Sequence, residues 1–261
     1  MVTGSRPDGS GLLVRRDVAL PGRSGRGRPP GYHLDRRLPW WVLAAILAIV
    51  AGLLVLALVH DRPHRLAETN LAGTRTLTGR ACIVVAADLS GSMAEVTPQR
   101  RAAVAALLPW LQANLAPDDV VTLVSFTDQA AITLPATAAA ELPNTPPPEP
   151  ALGGDSTQIL PAIALAAQTL DDHPCAATAI VAVSDGELGD LPDQLLAGLT
   201  QARISHVTVL NPHGADRSDY LDQPEFAGIE VTALGDSPDE ISLTIATTIA
   251  ELTGQRLQKT S

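Results

Sequence analysis

Cys82-Ile-Val-Val-Ala-Ala-Asp-Leu-Ser-Gly-Ser-Met93 decides how this 261-residue chain is read. Six apolar residues, 82–87, end on Asp88, and Ser90 and Ser92 follow at every second position. An apolar run with no polar alternation reads as a strand buried on both faces, as in parallel sheets. The turn after it offers one carboxylate and two hydroxyls that can converge on a single ion. Such oxygen ligands suit a hard divalent cation, although Asp-x-Ser-x-Ser is also ordinary turn chemistry.

Working outward, further strands are expected at 120–126, 179–184, 204–210 and 229–233, with a short edge strand at 130–134. Helical patterns alternate with them. Thr97-Pro98 offers an N-cap and a Pro at the first helical position, before Val104, Leu107, Leu108, Leu111 and Leu115 recur at helical spacing. Ser237-Pro-Asp-Glu240 reads as a capping box, followed by Ile241, Ile245, Ile249 and Leu252, with Gly254 as the stop. This alternation predicts an α/β fold: a doubly wound, mostly parallel sheet with helices on both faces. Such sheets bind ligands beyond the carboxyl ends of their strands, where the strand order reverses. Asp88 and Asp185 each follow a strand and therefore fall on that edge. Pro143–Pro150 (PNTPPPEP) is too rich in Pro for a regular element and reads as an irregular loop.

Gly153-Gly154-Asp155-Ser156-Thr157 precedes one helical pattern, and Ala182-Val183-Ser184-Asp185-Gly186 closes another apolar run. With Asp88, Ser90 and Ser92, these segments resemble the von Willebrand factor A (VWA) domain over residues 80–254. Its metal-ion-dependent adhesion site, the MIDAS, combines Asp-x-Ser-x-Ser with a Thr and an Asp from two further loops. The resemblance implies direct hydroxyl ligands from Ser90, Ser92 and Thr157, with Asp88 and Asp185 acting at least partly through water. It also implies an open sixth position, filled by a Glu or Asp of a protein partner. Asp155, Glu187 and Asp190 lie close by in sequence, either to tune the ion or occupy its open position, or as solvated loop acids. Mg²⁺ is the expected ion, with Mn²⁺ and Ca²⁺ as alternatives; compact six-coordination favours the smaller two. Some relatives switch between open and closed states by moving the last helix, which makes Ile241–Leu252 the candidate for such motion.

Residues 1–38 hold eight Arg and three Asp among scattered Gly and Pro, a composition expected to be a disordered cytoplasmic tail of about +5. Trp40–Val59 (WWVLAAILAIVAGLLVLALV) is uncharged and long enough to cross a hydrocarbon core as a helix. The long leader, the long apolar run and the lack of a small-x-small site before His60 argue for an uncleaved single-pass anchor over a signal peptide. The Arg excess before it places the N-terminus in the cytoplasm and the domain outside, at the cell membrane. Residues 60–79 read as a stalk and 255–261 as a C-terminal tail.

Past residue 38 there are 10 basic and 25 acidic residues, about −15, a field that repels nucleic acid. Enzyme patterns are missing. Asp88 stands where a nucleophile elbow around Ser90 needs Gly, and there is no HExxH, Walker loop or Gly-x-Gly-x-x-Gly. A phosphatase-like Asp88 nucleophile would call for a second Asp at position 90 and a nearby Lys, but the first Lys is Lys259. Cys82 and Cys175, the only cysteines, open neighbouring strands in the expected order. They form a disulfide in an oxidising compartment, or are a buried thiol and a free loop thiol.

The functional expectation is a non-catalytic module that recognises a protein through its metal. The alternatives are a membrane-tethered assembly or maturation factor acting with an AAA-type ATPase, and an ion that only staples loops.

Overall fold

The structure is a computed structural model that describes residues 40–60, 63–154, 156–212, 218–235 and 237–260. The Arg-rich segment 1–38 and Asp155 lie outside the described residues. Helix α1, Trp40–His60, carries 21 residues without a break, a rise of about 31 Å at 1.5 Å per residue. It crosses the boundary between the chain's two units, Met1–Gly52 and Leu53–Ser261. Among the described residues no helix is long and apolar enough to cross a membrane; the side chains at 43 and 53–60 of α1 lie outside that description.

The second unit is built on a six-stranded sheet. Its strands are β2 (Ala81–Asp88), β3 (Val120–Phe126), β4 (Ala130–Ala138), β5 (Ala177–Val183), β6 (His206–Asn211) and β7 (Glu230–Ala233). Their order is β4-β3-β2-β5-β6-β7, and only β4 runs antiparallel to its neighbour. The order reverses between β2 and β5, which places the ends of those two strands at the switch point. Every residue of β2 and β3 is buried, as their continuous apolar runs require.

Successive side chains of a strand face opposite ways, so the sheet feeds two cores. Ile83, Val85, Val181 and Val183 join Leu107, Leu108 and Leu111 of α2 (Thr97–Asn114) and Ile241, Ile245 and Ile249 of α5 (Pro238–Thr253). Cys82, Val84, Ala86, Ile180 and Ala182 join Ile163 and Ala166 of α3 (Leu160–Leu170) and Leu195 and Leu199 of α4 (Pro192–Gln201). α5 ends as expected on Gly254, whose φ of 70° is the left-handed cap conformation.

Three local expectations are corrected. Residues 66–72 are not a free stalk: Leu66 is buried, and β1 (Thr69–Ala72) pairs antiparallel with β8 (Arg256–Lys259), which draws the expected tail into the domain as well. Trp110 Nε1 donates to the Thr69 carbonyl at 2.9 Å and the Leu71 amide to Asn114 Oδ1 at 2.8 Å. A four-residue strand whose pairing partner lies at the far end of the chain leaves no period to read.

Thr97 is inside α2 rather than its cap, because a 3₁₀ turn, Gly91–Val96, leads straight into the helix. The Ser237 capping box does not close. Its side chain makes no cap bond, and Glu240 Oε2 instead accepts from the Gly235 amide at 2.7 Å.

At the end of the sheet away from Asp88, Cys82 and Cys175 are joined in a disulfide with Cα atoms 5.8 Å apart. Nearby, fully buried Asp119 accepts from the Ala81 and Ala116 amides and from Arg75.

Candidate metal centre

Asp88 is the last residue of β2 and is completely buried. Its two carboxylate oxygens are held separately: Oδ1 accepts from the Ser90 amide at 2.8 Å, and Oδ2 from Ser184 Oγ at 2.7 Å. Burial lifts this carboxyl above the usual carboxylate range; the bonds from Ser184 and Ser90 oppose the rise and the charge of Asp185 adds to it. Ser90 Oγ and Ser92 Oγ lie 3.1 Å apart on the turn after β2, within hydrogen-bond reach of each other.

Thr157 comes from the loop before α3. Its carbonyl accepts from the Gly189 amide at 2.7 Å, which ties that loop to the one following β5. Asp185 lies just past β5, where Oδ1 accepts from the Glu187 amide at 3.1 Å and its carbonyl from Asn211 Nδ2 at 3.2 Å. The turn needs Gly186: its φ is 79°, and a Cβ there would lie 3.0 Å from Leu221 Cδ1.

Ser90, Ser92, Thr157 and Asp185 line one open cleft of about 510 Å³, with Glu187 on the same wall. Asp88 is bonded to its floor through Ser90. The structure thus brings the five expected positions to one place at the switch point. Among the described residues no group of three or more His, Cys, Asp or Glu side chains is placed to hold a metal ion. A donor set of three hydroxyls and two carboxylates fits a hard divalent ion.

Asp190 has a different role from tuning an ion. It is buried and accepts from the Ile159 and Leu160 amides at 2.8 and 3.0 Å, capping α3 from another loop. Burial raises its carboxyl too, against those two bonds.

Two contributors had no sequence-based role. Ser184 orients Asp88 from just past the end of the neighbouring β5, and its place immediately before Asp185 is the only signal of it. Arg100 donates from Nη1 to the Asp88 carbonyl at 2.6 Å, with nothing in the sequence to mark it.

Residues 83–187 match the von Willebrand factor type A domain. The VWA-like match takes in Asp88, Ser90, Ser92, Thr157 and Asp185. Among solved structures, an aerotolerance-related membrane protein from Bacteroides fragilis NCTC 9343 is 22% identical, with 67% of this chain and 99% of that one covered and a TM-score of 0.45. BatB from Bacteroides thetaiotaomicron is 18% identical over 66% of this chain and 100% of that chain, with a TM-score of 0.44. Proximal thread matrix protein 1 from the mussel byssus, solved with a zinc-occupied MIDAS motif, is 13% identical over 67% and 48%, with a TM-score of 0.47. No curated protein matches the chain.

Proposed function

We propose that this protein is a membrane-anchored, non-catalytic recognition module whose VWA-like domain binds a protein partner through a divalent ion, Mg²⁺ first among the candidates. The observation that carries the reading is the convergence of Ser90, Ser92, Thr157 and Asp185 on one open cleft, with Asp88 held beneath by Ser90 and Ser184. Ser90, Ser92 and Thr157 would hold the ion directly. Asp88, whose two oxygens already accept protein hydrogen bonds, would reach it partly through water, as would Asp185. Neutral hydroxyl ligands leave the ion's charge largely uncompensated, and a bound ion supplies an electrophilic position for an acidic side chain of the partner. The open side of the cleft leaves room for that side chain.

The anchor is α1, with the N-terminus cytoplasmic and the domain outside. The uncharged sequence run Trp40–Val59 and the Arg excess before it support this assignment. The Cys82–Cys175 disulfide supports an oxidising compartment for the domain.

The test is a pull-down from solubilised membranes with wild type and Asp185→Ala, each in Mg²⁺ and in chelator. Retention of a partner by wild type in Mg²⁺ alone is expected. Equal retention in all conditions would leave the ion a structural role and move recognition to another face.

A further inference from the structure

Behind the metal cleft stands a charged group that the five ligand positions do not explain. Arg100, in the first turn of α2, is fully buried. Besides its bond to the Asp88 carbonyl, its guanidinium donates to Glu149: Nε and Nη2 reach Oε1 at 3.2 and 3.1 Å, and Nη2 reaches Oε2 at 3.1 Å. Arg101 adds a bond of 2.9 Å from the solvent side, where its own side chain is 60% exposed. Glu149 sits in the Pro-rich strap 143–150, and eight residues further on the same segment delivers Thr157 to the cleft.

A buried guanidinium is costly unless it is paired, and a bare cation this close to a divalent ion opposes its binding. Glu149 removes both objections. Beneath Pro146, Pro147 and Pro148 lies a mostly apolar cavity of about 280 Å³, bordered by Val85, Val104 and Leu123. Glu149 borders the same pocket, and its ion pairs with Arg100 and Arg101 fasten the strap beside it. Beyond Glu149 the strap is pinned again where Thr127 Oγ1 donates to the Gly153 carbonyl at 2.7 Å.

We propose that Arg100 and Glu149 are positioning residues that couple the seating of the 143–150 strap to the metal site. Arg100 fixes the backbone of Asp88, Glu149 neutralises Arg100, and the seated strap keeps Thr157 in the cleft. The proposal rests on the reading of that cleft as a metal site. Linkage is reciprocal, so an ion in the site must also steady the strap.

The experiment uses the full chain in detergent as wild type, Glu149→Gln, Glu149→Asp and Arg101→Gln. Mn²⁺ affinity is read by electron paramagnetic resonance and amide exchange of 143–154 with and without Mn²⁺. In wild type, Mn²⁺ should slow exchange across the strap. Glu149→Gln should weaken Mn²⁺ about tenfold or more, in the range seen when groups supporting metal ligands are lost, and should speed strap exchange. Glu149→Asp, which keeps the charge, should recover part of the affinity, whereas Arg101→Gln should stay within about threefold of wild type because its exposed pair contributes little. Wild-type affinity in Glu149→Gln, or strap exchange indifferent to Mn²⁺, overturns the coupling. Absence of Mn²⁺ binding by wild type overturns the metal reading itself.

Discussion

Replacing Ser184 with Ala is the sharpest test of how Asp88 is held. The hydroxyl is fully buried, donates to Asp88 Oδ2 at 2.7 Å and accepts from the Gly186 amide at 3.1 Å. Removing it strands both groups. A hydrogen bond to a charged group contributes about 1.5–3 kcal/mol and a neutral one about 1, so the metal-free protein should lose roughly 2–4 kcal/mol at neutral pH. At about 2–4 °C per kcal/mol for a domain of this size, the melting temperature should fall by about 4–16 °C. The bond favours the charged carboxylate, so the loss should shrink toward about 1 kcal/mol in acid, where Asp88 is protonated. Metal affinity should fall about 10–100-fold, since Asp88 loses the partner that orients it. Thermal melts in chelator at neutral pH and at a pH acid enough to protonate Asp88, with a calorimetric Mg²⁺ titration, measure all three quantities. A variant that melts within 1 °C of wild type at both pH values (about 0.3–0.5 kcal/mol on that scale) and binds Mg²⁺ equally would refute the reasoning.

Further outcomes concern pH, the disulfide and Asp190. Burial raises the carboxyls of Asp88 and Asp190 in the folded state, so between their unfolded and folded values the native protein holds more protons. Their contribution to stability is therefore fully present below the unfolded value and is lost as pH rises through the folded ones. Denaturant melts in chelator should show that decline, and the increment from Mg²⁺ should grow over the same range, because the ion binds the carboxylate form. Replacing Cys82 and Cys175 together by Ala opens a link across 93 residues and should cost about 2–4 kcal/mol in chemical denaturation, with the metal site unaffected in the refolded protein. Asp190→Ala should cost about 1–2 kcal/mol and loosen the start of α3, seen as faster amide exchange at Ile159 and Leu160.

Legibility followed local chemistry. The buried strands announced themselves because β2, β3 and β5 are apolar on both faces, and the candidate site did so because its residues sit at or just past a strand's end or in a short polar turn. What stayed hidden depends on partners distant in sequence. β1 and β8 lie near opposite ends of the second unit's sequence and pair only in the fold, and Arg100 and Glu149 are 49 residues apart. Asp190 was legible as an acid near the site, but not as the cap of a helix that starts thirty residues earlier. The capping box at Ser237 had the right letters, yet Glu240 turned to the Gly235 amide instead.

The central claim, that Asp88, Ser90, Ser92, Thr157 and Asp185 make one divalent-ion site, is met most directly by titrating the full chain with Mn²⁺ under electron paramagnetic resonance. The account predicts one ion per chain, displaced by Mg²⁺, and binding lost in Ser90→Ala/Ser92→Ala while the fold persists. Undiminished binding in that variant would contradict it.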